Sequence, residues 1–427
     1  MPIRYLVIAA AVSMAGITYL DRVCVSILAP AIMKDLRLSP LQMGYVFSAF
    51  TLAYACFEIP TAWWADRTGS RRVLTRIVTW WSGFTMLTAA ALNYPALLAI
   101  RFLFGAGEAG AWPCAARVFS RWIPLEERGR AQGIFFAGAH LAGGLTPALV
   151  VWIAAFLPWR LVFVVFGFFG LAWAAFWHRW FRDEPREHQS VSSSELHLIE
   201  AMRGLPAQAH SGSWRKIWAT RGLVPLCLQY FANSYALYFF ITWLPTYLAK
   251  SRGLASGQLA FFSGLPLMLS AAADVTGGWT TDSLSRRFGL RLGRCGVGAG
   301  AYLVAAGIML AGTLATNSLL AGTLIAIAGA LSMFTLAPSW ATAIGLGGAN
   351  AALLSATMNT AGQVGGVLSP IVLAWVVDRY GNWNLPLHIV SALYLVAFVC
   401  WLRIQPEPAA ATSRDSVGDL AIQKPVT

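Results

Sequence analysis

Asp21, Arg22, Arg101 and Glu108 lie inside long apolar stretches of a 427-residue chain. A charged side chain at the centre of a membrane helix costs roughly 2.5–3.5 kcal/mol on insertion scales, so such residues face a water-filled path or one another. Arg101 and Glu108 are seven apart, close to two helical turns, and share one helix face. Asp21 and Arg22 are adjacent, about 100° apart around a helix, so at least one points into the protein. If the four meet in one cavity, two positive and two negative charges balance. A carboxylate substrate then adds one excess negative charge, and a proton on Asp21 or Glu108 restores neutrality. Substrate and proton would favour each other's binding, which is the coupling that symport requires. Arginine suits the anchor, because its fork pairs a carboxylate bidentately and stays charged. A structural quartet of ion pairs holding two helices together is the alternative, and the two readings overlap if pairs exchange during a cycle.

The surroundings are those of a polytopic membrane protein. The chain is 57% hydrophobic and 11% charged, too apolar for a soluble fold, which averages about 25% charged residues. Gly and Pro recur inside the apolar runs, as membrane helices tolerate. The formal charge of +13 sits in short loops between apolar segments, which points to membrane topology rather than to nucleic acid. Cys24, Cys56, Cys114, Cys227, Cys295 and Cys400 form no C-x-x-C and have no His at metal spacing, so no metal and no disulfide framework is expected. No A-x-A-like cleavage site follows the first apolar run, which therefore reads as a spanning helix.

A span needs about 20 mostly apolar residues. Candidates are 5–31, 42–64, 73–92, 95–117, 131–155 and 160–178, then 223–248, 257–280, 295–314, 318–345, 353–376 and 385–403. The expected organisation is an all-α membrane protein with a six-helix bundle over 1–181, a linker over 182–221, a second bundle over 222–405 and a tail over 406–427. Arg67, Arg71, Arg72 and Arg76 follow span two; Arg117, Arg121, Arg128 and Arg130 follow span four; Arg286, Arg287, Arg291 and Arg294 follow span eight. The opposite face carries only Lys34, Arg37, Arg160, Lys250, Arg252 and Arg379, so termini and linker are predicted to be cytoplasmic.

The halves share a local pattern. Ala62-Trp-Trp-Ala-Asp66-Arg67-Thr-Gly69-Ser-Arg71-Arg72 follows span two, and Gly278-Trp-Thr-Thr-Asp282-Ser-Leu-Ser-Arg286-Arg287 follows span eight. Both resemble the cytoplasmic loop signature of the major facilitator superfamily, although Ala62 replaces a preferred Gly and the second copy lacks the Arg after its Asp. The resemblance implies twelve transmembrane helices in two bundles that rock about a central site. It assigns gating roles to Asp66, Arg67 and Asp282, with simple topology charges as the alternative. Tyr19-Leu-Asp21-Arg22, Gly44-Tyr-Val-Phe-Ser-Ala-Phe and Arg101-Phe-Leu-Phe-Gly-Ala-Gly-Glu108-Ala-Gly-Ala-Trp-Pro113 further resemble the anion:cation symporter family. That family includes bacterial sugar-acid carriers and vesicular carriers of sialic acid and glutamate. The resemblance implies proton coupling by Asp21 and Glu108, a substrate carboxylate on Arg22, and substrate contacts from Tyr54 and Asn359. At the span-five position where sugar-acid carriers place a polar contact, this chain offers His140, which leaves the substrate open.

Other residues carry two readings each. Asn359 and Gln363, one turn apart, line a cavity or bond helix to helix. Asn233, Tyr235 and Tyr238 of span seven are similar. Glu58 and Asp274, near the inner ends of spans two and eight, read as loop-latch residues. Gly105-Ala-Gly107-Glu108-Ala-Gly110 formally matches a dinucleotide fingerprint, but it has no preceding strand and reads as a small-residue packing run, as does Gly362-x-x-x-Gly366. The leading expectation is a proton-coupled symporter for a small organic anion. Its partners would be that anion, the proton and the lipid bilayer, with no nucleic acid and no cofactor besides the proton. It would act as a monomer in a bacterial inner membrane. A proton-driven exporter is the alternative, although Gly138-Ala-His-Leu-Ala-Gly143-Gly144-Leu-Thr-Pro147 lacks the residue order typical of one. No HExxH or Ser-centred nucleophile motif supports an enzyme.

Overall fold

In lipid every backbone amide and carbonyl needs an internal partner, so long apolar runs of this kind form helices. The computed structural model describes residues 2–124, 128–201, 220, 222–347 and 351–405, and these are almost entirely helical. The first half contains α1 (Ile3–Leu36), α2 (Pro40–Thr68), α3 (Ser70–Thr88), α4 (Tyr94–Glu108), α5 (Ala111–Trp122), α6 (Arg128–Ala154) and α7 (Trp159–Trp180). A short helix, α8 (Ser193–Ala201), follows in the linker. The second half contains α9 (Leu223–Thr242), α10 (Leu244–Lys250), α11 (Ser256–Phe288), α12 (Val297–Leu314), α13 (Ser318–Met333), α14 (Leu336–Gly347), α15 (Ala351–Tyr380) and α16 (Leu385–Arg403). With α4–α5, α9–α10 and α13–α14 each taken as one span, the order is six spans, linker, six spans.

Those three spans were expected to be continuous and are not. Each is interrupted just before a proline: Gly110 precedes Pro113, Trp243 precedes Pro245, and Thr335 precedes Pro338. Proline lacks an amide hydrogen, so it fits the first turn of the helix after a break. At the first break Gly110 takes φ +86°, a left-handed conformation suited to glycine, and a Cβ there would strike Thr61. Other helices overrun their expected ends, most of all α11, which continues to Phe288. Among the described residues, eight stretches are long and apolar enough to cross a membrane by themselves. Span seven is not among them; its apolar run is diluted by Gln229, Asn233 and Ser234.

Within the first half α1 packs on α6, α2 on α4 and α3 on α7; within the second, α9 packs on α15 and α12 on α16. Two main seams join the halves, α2 with α15 and α6 with α11, and α1 adds smaller contacts to α9 and α10. Both seams close on the side opposite the chain termini, called distal below. There Gly44 lies against the Pro370 carbonyl, Ser48 Oγ donates to the Val367 carbonyl at 2.7 Å, and the Gly144 and Gly264 backbones touch. On the terminal side the linker ties down the first half. Glu195 of α8 accepts the amides of Ile3 (3.1 Å) and Arg4 (2.9 Å), satisfying free donors at the start of α1. Asp183 accepts the Arg71 amide at 3.0 Å, and Glu184 pairs with Arg121.

Candidate functional site

The membrane charges converge. Arg22 Nε donates to Glu108 Oε1 at 2.6 Å, and a terminal nitrogen of the same guanidinium also reaches that oxygen. Glu108, the last residue of α4, is fully buried; Asp21 and Arg101 are almost as deeply buried. Asp21 lies within electrostatic reach of Glu108 and Arg101. Glu108 Oε2 and Arg101 Nε are buried without a hydrogen-bond partner among the described residues, and the Asp21 carboxylate has only the Thr85 hydroxyl beside it. Two of these groups are acceptors with spare capacity, and one is a donor.

Aromatic rings enclose the cations. The Arg22 guanidinium lies 5.0 Å from the Phe50 ring, 5.1 Å from Tyr54 and 5.9 Å from Tyr19. Arg101 lies 4.2 Å from Phe104 and 5.5 Å from Phe50, so Phe50 serves both arginines. Such contacts attract a cation to the ring face by about 0.5–2 kcal/mol each. Phe50 and Tyr54 are one turn apart on α2, and Tyr19 is one turn before Arg22 on α1, so each helix presents its share on one face. The second half contributes Tyr238, within electrostatic reach of Arg22, Glu108 and Tyr54.

The structure thus brings together Asp21, Arg22, Arg101, Glu108, Tyr54 and Tyr238 from the expected set. Tyr19 and Phe50 stood inside the motifs that carry the family resemblance but were given no role; their helical spacing to Arg22 and Tyr54 was the usable signal. Tyr19 also meets His140 edge-on, with ring centres 5.6 Å apart. His140 Nδ1 lies 2.7 Å from Asp274 Oδ2 of the second half. Asp274 therefore corrects an expectation: with α11 running to Phe288 it lies about four turns from the helix end, beside the centre rather than in a loop latch. Glu58 likewise lies within electrostatic reach of Arg22 and Tyr54.

Asn233 is placed elsewhere. Its amide donates to the Ser332 carbonyl at 2.7 Å and to the Tyr302 hydroxyl at 3.1 Å, inside a buried network with Gln229, Thr335 and Ser339. That network supplies polar partners where α13 gives way to α14. The Tyr235 hydroxyl is buried without a partner among the described residues. Asn359 and Gln363 are half-buried on α15, and Gln363 Oε1 is also unpartnered. Asp282 is exposed and still inside α11, while the side chains of Asp66 and Arg67 lie outside the described residues. The glycine run is a packing surface: a Cβ on Gly105 would strike the Phe50 carbonyl, one on Gly107 the Trp80 indole. No cluster of potential metal ligands occurs among the described residues.

Comparison with known proteins gives this arrangement a context. The sequence profile of the Major Facilitator Superfamily matches residues 11–370. A protein of Cupriavidus necator named "Probable sulfoacetate transporter" is 34% identical over 98% of this chain and 97% of its own. A "Probable galactarate/D-glucarate transporter" of Bacillus subtilis is 30% identical over 94% of this chain and 91% of its own. A bacterial homologue of the human lysosomal transporter Spinster shares the fold at a TM-score of 0.77 and 19% identity, over 94% of this chain and 97% of that one.

Proposed function

Because this chain belongs to the major facilitator superfamily, a family of membrane transporters and not of enzymes, we propose that it is a proton-coupled symporter taking up a small organic anion by alternating access. The transport of organic anions by its relatives supports the substrate class. The observation that carries the mechanism is the caged Arg22–Glu108 pair, with Asp21 buried beside it.

The charges of Asp21, Arg22, Arg101 and Glu108 cancel. A substrate carboxylate takes the Arg22 fork and displaces Glu108, which leaves one uncompensated negative charge in a poorly solvated space. A proton on Glu108 or Asp21 removes it, so anion and proton load together. The cage keeps the guanidinium in place, and its fork can then pair a carboxylate bidentately. Tyr54, Tyr238, Gln363 and Asn359 supply neutral hydrogen bonds to the rest of the substrate. The halves, 1–181 and 222–405, then rock about this centre, with the termini on the cytoplasmic side of the inner membrane.

Proton uptake into proteoliposomes containing the purified protein, read with an internal pH dye, tests this. Sulfoacetate, galactarate, D-glucarate and galactonate are added singly to wild type, Glu108→Gln and Arg22→Ala. One anion should drive acidification, and each substitution should reduce its rate at least tenfold. Acidification that survives Glu108→Gln at the wild-type rate removes the proton role of Glu108; none with any anion, from folded protein, removes the symport reading for this panel.

A further inference from the structure

The 2.7 Å contact of His140 Nδ1 with Asp274 Oδ2 is the one between a histidine or basic side chain and a carboxylate that joins the two halves among the described residues. Each comes from one helix of the α6–α11 seam. That seam is tight on the distal side, where Gly143 faces Leu267 and Gly144 faces Met268 and Gly264. The pair lies about one turn of α6 and two turns of α11 further toward the terminal side, beside Tyr19 of the central cluster. Its groups are largely shielded, with 4% of the His140 side chain and 16% of the Asp274 side chain exposed. Asp274 Oδ1 is buried without a partner among the described residues.

We propose that His140 and Asp274 form a second proton-binding site, built from both halves, whose proton is held while the distal seam is closed and released when it parts. The proposal rests on the alternating-access reading. Side by side in a low-dielectric interior, an imidazolium and a carboxylate neutralise each other, and the pair holds one proton. Pulled apart there as charges, each would be left as a buried ion without its partner, which the low-dielectric interior disfavours. Pulled apart into water near pH 7.5, imidazole is mostly neutral and carboxylate charged, so the two hold none. Opening the seam therefore expels one proton, and acid favours the distal-closed form.

The charged and titratable groups facing the pair are few. Tyr19 of α1 meets the imidazole edge and is within electrostatic reach of Asp274; Arg22 and Glu108 lie just beyond that ring. Tyr230 of α9 is within reach of Asp274. Of the other elements packed against α11, α13 and α14 contain no titratable residue, α10 at its distal end carries Tyr247 and Lys250, and the turn Arg291–Gly296 at its terminal end carries Arg291, Arg294 and Cys295. Tyr19 touches both Arg22 and His140, so a substrate that repositions Arg22 is one side chain away from the bridge. This joins the anion site to the seam that must open.

Hydrogen–deuterium exchange of the full-length protein in lipid nanodiscs tests the idea without requiring transport. Exchange over 141–155 and 257–270 is followed from pH 8 to pH 5.5 and corrected for its intrinsic pH dependence. One linked proton changes the open fraction by up to about tenfold per pH unit. Wild type should become more protected in acid. His140→Gln and Asp274→Asn should lose that dependence, and the exchanged pair His140→Asp with Asp274→His should regain it. Wild-type pH dependence in either single variant overturns the proposal, as does its absence from the wild-type protein. Should the single variants fail to fold, the exchanged pair decides alone, its pH dependence supporting the bridge and the loss of it refuting it. A failure of the acidification assay leaves these outcomes unchanged, so the two readings fail separately.

Discussion

Phe50 is shared by two arginines, and that makes it the most exposed test of the cage. Its ring stands 5.0 Å from the Arg22 guanidinium and 5.5 Å from that of Arg101. Phe50→Leu keeps apolar bulk but removes the ring face from both cations. If the cage keeps Arg22 in place for a carboxylate, the lost attraction of about 1–2 kcal/mol should raise the half-saturating substrate concentration about tenfold. Proton coupling should persist, because Glu108 and Asp21 are untouched. Unchanged affinity in the proteoliposome assay would show that the rings are mere packing. The four charges themselves were legible in the sequence, since a charge in an apolar run has an energetic cost and needs a reason. The cage was less so, because in a chain with 13% aromatic residues the helical spacing of Tyr19 to Arg22 and of Phe50 to Tyr54 stands out only once the helices are docked. Asn233 shows the converse: a polar residue at membrane depth satisfies a helix break as readily as a substrate.

Among the helices, α2 and α4 position the cage by their closeness. Gly105 permits it, for a Cβ there would strike the Phe50 carbonyl, and a backbone atom cannot swing aside as a side chain can. Gly105→Ala should therefore cost about 1–3 kcal/mol, lower the melting temperature and reduce uptake, because relief requires moving Phe50 itself. Gly300→Ala, in open space on α12, is the control and should leave both unaltered or slightly raise stability. Equal behaviour of the two variants would refute the close-packing role. Span number and order followed from hydropathy, because bilayer thickness dictates helix length. The breaks in spans four, seven and ten did not, although a proline stands just beyond each. Prolines 30, 60, 147, 266 and 370 sit within unbroken helices, so the residue alone does not say which outcome applies.

At the scale of the whole molecule, the closed distal seams are what a cycle must undo. Nothing in a single sequence says which side of a two-half carrier is shut, since both arrangements use the same helices and differ by a rigid-body rotation. The contacts that decide it are backbone approaches at glycines, and Gly264 against Gly144 is the tightest point of the α6–α11 seam. A leucine at Gly264 cannot be accommodated while the two backbones touch, so Gly264→Leu should wedge the seam apart and favour the distal-open state. Exchange over 141–155 should rise several-fold, and uptake should fall at least tenfold. Substrate should still stabilise the protein against heat, though less than in wild type, since Arg22 and its rings Tyr19, Phe50 and Tyr54 belong to the first half while Tyr238 moves away with the second. Gly257→Leu, at the start of the same helix with open space around it, should show none of these effects. Loss of substrate binding along with uptake would mean that the wedge deforms the site rather than shifting its access. Normal uptake would mean that this seam never needs to close, and the alternating-access reading would have to move to the α2–α15 seam alone.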